Sequence, residues 1–163
     1  MRLADPEDLP RIVEIYNSTI AGRKATADTL PVTVEQRRSW FDRHSPDRRP
    51  LLVEEDGERV IGWLGFEDFY GRPAYGATAE LSIYLDPAYR GTGLGSHMLR
   101  EALKRAPSLG LKNLVAFVFS HNTESIRLFK KFGFQSWGQL PDVACMDERE
   151  YSLTILGLRL AGA

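Results

Sequence analysis

Apolar residues recur along this chain with two periods, and the switches between them mark out the elements. Leu9, Ile12, Val13, Tyr16 and Ile20 fall three to four apart, the spacing of one buried helical face. Ahead of them, Asp5-Pro6-Glu7-Asp8 supplies a cap, a proline suited to the first turn, and acids at the positive end of the helix dipole. Small and polar residues over 21–31 interrupt the pattern as a loop. Thr33-Val34-Glu35-Gln36 reads as a capping box opening a second helix, which Trp40 and Phe41 close onto the core. Two strand-like runs, 51–55 and 59–66, flank Asp56-Gly57, a hairpin turn signal. Phe69-Tyr70-Gly71-Arg72-Pro73-Ala74-Tyr75-Gly76 breaks the strand pattern and predicts a loop. A strand over 79–86 follows, with Leu81, Ile83 and Leu85 on one face and Glu80, Ser82 and Tyr84 on the other. After a glycine-rich turn comes a helix over 96–106; Leu94, Met98, Leu99, Ala102 and Leu103 share one face. The run 114–119 predicts another strand. Asn122 caps a further helix that ends at Gly133, and strands over 134–140 and roughly 151–158 close the chain.

At 163 residues, with 43% hydrophobic and 26% charged positions, the chain suits one globular domain spanning 1–163. A net charge of −1 gives no reason to expect nucleic acid or an acidic membrane surface as partner. Arg37, Arg38, Arg43, Arg48 and Arg49 form a basic stretch that reads as a solvated helix face and loop. The single cysteine, Cys145, excludes an intrachain disulfide and suits a reducing compartment. With neither a signal peptide nor an apolar run of membrane length, the expected location is cytoplasmic. His44, His97 and His121 lack ligand spacing, so no metal is predicted.

Chemistry enters at Arg90-Gly91-Thr92-Gly93-Leu94-Gly95, between a strand and a helix. Such a turn leaves N–H groups unpaired at a helix N-terminus, where the dipole favours phosphate oxygens, and Arg90 adds charge. The turn lacks the lysine of a Walker loop, and its glycine spacing is not the Gly-x-Gly-x-x-Gly of dinucleotide folds. It resembles Arg/Gln-x-x-Gly-x-Gly/Ala, the pyrophosphate loop of the GNAT acetyltransferase superfamily. A second segment, Asn122-Thr123-Glu124-Ser125-Ile126-Arg127-Leu128-Phe129, running on to Gly133-Phe134, is similar to that superfamily's downstream motif. The resemblance implies an α/β (α+β) GNAT fold: a central mixed, twisted sheet of about six to seven strands flanked by about four helices, in the order β-α-α-β-β-β-α-β-α-β-β. It also implies that the strands before the two motifs splay apart. Acetyl-CoA is then the co-substrate, its pantetheine arm pairing with backbone at Ile83, Tyr84 and Leu85. Its phosphates meet Arg90, Gly91, Thr92, Gly93, Leu94, Gly95 and Ser96, with Asn122, Ser125 and Phe129 alongside.

Acetyl transfer needs a neutral amine, a stabilised oxyanion and a protonated leaving thiolate. Glu80 is the candidate base, direct or through water. A carboxylate in a central strand is costly unless its face lines a wet cleft, and the position matches a glutamate proposed as base in phosphinothricin acetyltransferases. Backbone N–H near Leu85 is the oxyanion donor that the resemblance implies. Where many relatives carry a tyrosine acid, this chain has Phe129, so no acid is assigned; Tyr84 and Tyr75 remain as hydroxyls. Cys145 gives little reason to expect a covalent route, which leaves direct transfer in a ternary complex.

Ile15-Tyr16-Asn17-Ser18-Thr19-Ile20, Trp40-Phe41, Phe66-Glu67-Asp68-Phe69-Tyr70 and Ala79-Glu80-Leu81-Ser82-Ile83-Tyr84 look like the phosphinothricin acetyltransferase-like subfamily. That group acetylates the α-amine of phosphinothricin, methionine sulfoximine or methionine sulfone, and its members pair into dimers. Arg72 is then the natural carboxylate partner, with Tyr70 and Tyr75 shaping the acceptor pocket. Thr26-Ala27-Asp28 and the stretch 141–147 depart from the subfamily pattern. A polyamine, an aminoglycoside or a protein N-terminus stays open as acceptor, with Glu67, Asp68 and Glu80 as an acidic cleft. A non-catalytic CoA-binding module is the remaining alternative.

Overall fold

The computed structural model describes residues 1–160; residues 161–163, the end of the stretch read as one domain, lie outside the described residues. Along it run β1 (Arg2–Leu3), α1 (Leu9–Ile20), α2 (Val34–Asp42), β2 (Leu51–Asp56), β3 (Arg59–Asp68), β4 (Thr78–Leu85), α3 (Leu94–Arg105), β5 (Asn113–Phe119), α4 (Thr123–Lys131), β6 (Gln135–Met146) and β7 (Arg149–Arg159). The strands form one sheet in the order β1-β2-β3-β4-β5-β7-β6. Every neighbouring pair is antiparallel except β4 and β5, so the sheet is mixed.

Local chemistry starts the helices where expected. Asp5 accepts from the Glu7 N–H and Asp8 accepts from the Asp5 N–H, closing a capping box on a short 3-10 turn that leads into α1. Thr33 and Gln36 form the reciprocal pair that opens α2, at 3.2 and 2.7 Å. Alternation along the central strands then sorts side chains onto two faces. Leu64 and Phe66 of β3 and Ala79 and Leu81 of β4 pack with Met98 and Leu99 of α3 and Phe129 of α4. On the other face Trp63 packs with Ile12, Ile15, Tyr16 and Trp40 of α1 and α2, and Tyr84 lies against them. Each fully buried leucine, isoleucine, phenylalanine or methionine among them contributes about 1.5–3 kcal/mol.

Several boundaries differ from the periodicity reading by a residue or more, and three of the differences have a visible cause or consequence. β4 stops at Leu85 because Asp86 turns away to cap the next turn, accepting from the Ala88 N–H at 2.8 Å. α3 begins at Leu94, two residues before the expected 96. β6 runs on to Met146 through Pro141, because three residues bulge out between the Leu140–Leu153 and Ala144–Tyr151 pairs. Asp142 takes a positive φ there, and its N–H donates to Ser152 Oγ. The basic stretch is also not a uniformly solvated face. Arg37 lies 4.1 Å over the Tyr16 ring and pairs with Asp28, while Arg49 is buried against Asp68 at 2.7 Å.

Candidate active site

β4 pairs with β3 from Ala79 to Leu85, but with β5 only from Thr78 to Glu80. β5 turns its other edge to β7 along its whole length. From Leu81 onward the two central strands therefore splay, and the β4 edge facing the gap has no strand partner. Ile83, Tyr84 and Leu85 lie on that edge. Unpaired backbone at a sheet edge accepts an added extended segment, which is how a ligand's amide-bearing arm can be held.

At the end of this edge the chain turns through a 3-10 helix, Pro87–Tyr89, and reaches the glycines. Gly91 and Gly93 sit at φ +76° and +93°, in the left-handed region that favours glycine, and a Cβ built on either meets nothing within 4 Å. The turn is thus shaped by backbone conformation and opens to solvent. Gly93 is the N-cap of α3 and supplies no side-chain cap, so the N–H groups of Leu94, Gly95 and Ser96 lack intrahelical partners. Gly95 serves close packing: a Cβ there would stand 3.1 Å from Leu128 of α4. The Thr92 hydroxyl donates to the Tyr89 carbonyl at 2.7 Å, folding the turn onto itself. Arg90 is exposed beside it. Outward N–H groups, a helix dipole, an arginine and a free strand edge together suit a pyrophosphate with a peptide-like arm, the chemistry of coenzyme A.

The α1–α2 face carries the candidate base. Glu80 is half-buried, and Glu67 of β3 is its direct register partner. Burial, and then the charge of Glu67, push the Glu80 carboxyl up to about 7. Tyr84 lies on the same face, its ring stacked on Trp63 at 4.4 Å. Its pKa is raised by burial, and its hydroxyl donates to the Ala25 carbonyl at 3.1 Å. His44, after α2, hydrogen-bonds the Trp40 carbonyl through Nδ1, and burial lowers its pKa; its Nε2 is buried without a partner, over Gly65. Asp68, expected with Glu67 and Glu80 in one acidic cleft, instead pairs with Arg48 and Arg49.

Arg72 stands at the head of the turn Pro73–Tyr75, its carbonyl accepting from the Tyr75 N–H at 2.9 Å, and its guanidinium is exposed and has no hydrogen bond or ion pair among the described residues. Tyr70 is 73% exposed at φ +55°, and Phe69 touches Tyr70, Tyr75 and Phe117 edge-on or stacked. This aromatic loop hangs beside the mouth of the splay through Phe117 of β5. Phe129 is placed differently: its ring is in the core, 5.0 Å from Phe134.

Periodicity gave no sign of how the loop after α1 is held. Three successive carbonyls are gripped from different elements: Arg23 by His121 Nε2 at 2.7 Å, Lys24 by Asn122 Nδ2 at 3.0 Å, and Ala25 by Tyr84. The Arg23 side chain adds a two-pronged contact to Asp147 in the β6–β7 turn, at 2.7 and 3.0 Å. The strap thereby crosses from β4 to the end of β5, over the gap. Asn122 meanwhile caps α4, accepting from the Ser125 N–H. His121, Arg23 and Asp147 carry no local pattern, because their partners lie about a hundred residues away in sequence. Among the described residues, no group of three or more His, Cys, Asp or Glu converges as a metal centre, and no helix is long and apolar enough to cross a membrane.

Residues 12–134 match the Acetyltransferase (GNAT) family. The chain is 52% identical over 161 residues to a Bacillus subtilis (strain 168) protein, YwnH, provisionally named a phosphinothricin acetyltransferase, covering 99% of both chains. It is 34% identical to an L-methionine sulfoximine/L-methionine sulfone acetyltransferase of Pseudomonas aeruginosa, covering 98% of this chain and 94% of the relative. The fold superposes on the yncA protein of Salmonella typhimurium, solved with its cofactor acetyl-CoA, at a TM-score of 0.91 and 32% identity, covering 99% and 94% of the two chains.

Proposed function

Because this chain belongs to the GNAT acetyltransferase family, we propose that it acetylates the α-amine of a small amino-acid-like acceptor of the phosphinothricin, methionine sulfoximine or methionine sulfone type. Transfer is direct, within a ternary complex. The observation that carries this reading is Glu80, a half-buried carboxyl with its pKa near 7, in the last β4–β5 register pair and next to the free strand edge that begins at Leu81. Acetyl-CoA brings the acetyl group as a thioester. The chain's N–H groups at Leu94, Gly95 and Ser96 hold its phosphates, Asn122 and Ser125 stand beside it, and the β4 edge from Ile83 to Leu85 orients the arm. An α-ammonium titrates at about 8, so a base near 7 takes its proton with little uphill cost at neutral pH. The Leu85 N–H meets the developing oxyanion. Tyr84, engaged with Ala25 and holding its proton tightly, shapes the site rather than supplying the leaving thiol's proton. Arg72 pairs with the acceptor's α-carboxylate, with Tyr70 and Tyr75 beside it.

The domain spans 1–163 and works in the cytoplasm as a homodimer. The support for pairing is β6, one of the two edge strands, which exposes Trp137, Leu140 and Val143. Light scattering at micromolar concentration reads the dimer; a monomer there removes it. The reaction is tested by thiol release from acetyl-CoA with methionine sulfone, methionine sulfoximine, phosphinothricin, plain methionine, spermidine and an aminoglycoside. Turnover with the tetrahedral amino acids supports the reading. Turnover confined to the polycations, for which the unpaired Glu67 and Glu80 would serve, overturns the acceptor assignment.

A further inference from the structure

Glu67 and Glu80 are set apart from the other carboxylates of this chain. Among the described residues, Asp8, Asp28, Glu54, Glu55, Asp86 and Glu101 are half-buried or buried, and each sits against an arginine, a lysine, a histidine or the N-terminal ammonium. Glu67 and Glu80 are half-buried too, yet among the described residues neither carboxylate has an ion pair or a hydrogen bond. They are direct register partners, which puts their Cα atoms about 4.5–5.5 Å apart with both side chains on the α1–α2 face. Like charges in that position repel and destabilise a sheet. The surroundings do little to quench them. Val115 and Phe117 on the β5 side are apolar; Tyr84 of β4 and Tyr16 of α1 are neutral phenols. His44 has its Nδ1 committed to Trp40 and is held neutral by burial, Arg37 of α2 is committed to Asp28, and Arg72 stands exposed in the loop before β4.

We propose that Glu67 is a positioning residue of the transfer reaction, acting on the acceptor's proton through Glu80 without touching the reacting atoms. The proposal rests on the reading of Glu80 as the base. When the acceptor's ammonium gives a proton to a Glu80 carboxylate oxygen, the nitrogen lone pair is freed and Glu80 becomes a neutral acid. That step relieves the contact between two like charges, so Glu67 favours it. Glu80 ionises again by losing the proton to water, and the repulsion is restored for the next cycle.

The test compares Glu67→Gln, which keeps shape and removes charge, with Glu67→Asp, which keeps charge. The first readout is the pH dependence of kcat/KM with methionine sulfone and acetyl-CoA. The second is a carbon-13 NMR titration of the Glu80 side-chain carboxyl in the unliganded protein, its signal assigned by loss in Glu80→Gln; this readout needs no acceptor. The expected result is that Glu67→Gln moves both the acid limb and the Glu80 titration to lower pH by about half a unit or more, and that Glu67→Asp stays near the wild-type position. An unmoved titration in Glu67→Gln, or an Asp variant that behaves like the Gln one, overturns the proposal. A Glu80→Gln enzyme with full turnover overturns it together with the base assignment. An inactive Glu80→Gln with an unmoved Glu67→Gln titration overturns the role of Glu67 alone.

Discussion

At the scale of single residues, the proposed role of Glu80 as base would link activity and stability with opposite signs. Its folded pKa, about 7, lies above the ordinary 4.5, so the native state binds the proton more tightly than the unfolded chain. Stability therefore falls as pH rises between those two values, and above pH 7 the ionised group is a net burden on the fold. Glu80→Gln carries no such burden. Its Tm should match wild type at pH 4 and exceed it by roughly 2–6 °C at pH 8, while kcat/KM falls about 10²–10⁴-fold with acetyl-CoA affinity unchanged. Calorimetry across pH and isothermal titration check the two halves separately. Asp86 shows the reverse case. The Ala88 N–H, then Arg11 and Arg59, hold its carboxyl below the usual range. Its contribution is present above the unfolded pKa and is lost as pH falls through the folded one. Asp86→Asn should thus lower Tm at pH 7, and the gap should close as the solution is acidified below about pH 4.

At the scale of elements, the turn before α3 separates conformation from binding. Both Gly57 and Gly93 have positive φ with open space where a methyl would stand, but only Gly93 lies at the proposed phosphate-binding turn. Alanine at either costs roughly 1–2 kcal/mol of backbone strain, or about 2–6 °C. Gly93→Ala should also weaken acetyl-CoA binding about tenfold, the loss of about one charge-assisted hydrogen bond, whereas Gly57→Ala should leave it intact; titration calorimetry with acetyl-CoA discriminates them. What the sequence made legible was local in the same sense. The Asp5 and Thr33 capping boxes, the hairpin beside Gly57 and the two faces of β4 depend on neighbours within a few positions. β1 has only two residues and no period to detect. The early start of α3 was hidden by Gly95, which reads as a turn residue although the helix there packs so close to Leu128 that a side chain would not fit easily. β6 past Pro141 was hidden because a bulge absorbs a proline that ordinarily ends a strand. Of the site, the glycine turn and Glu80 stood out in the sequence; the register that sets Glu67 against Glu80, and the grip on the loop after α1, are long-range.

At the scale of the whole molecule, β4 and β5 meet over three register pairs only, and the strap from Arg23 to Ala25 ties them again across the open end. Asn122→Asp separates the two tasks of that side chain. It keeps an oxygen to accept from Ser125 and so keeps α4 capped, but it has no N–H for the Lys24 carbonyl. Hydrogen exchange of amides 21–32 should quicken in this variant while α4 stays protected; equal quickening in both, or in neither, contradicts the division of labour. The strap is fastened by main-chain carbonyls, which every amino acid possesses. Exposed side chains on the strap and in the loop that follows it, such as Ala25, Ala27 and Leu30, contribute nothing to those three bonds. If the proposed acceptor site lies beneath the strap, substitutions at those exposed positions would alter its rim while the carbonyl grip that fixes the path stays as it is. A library randomised there should change acceptor preference with little change in Tm.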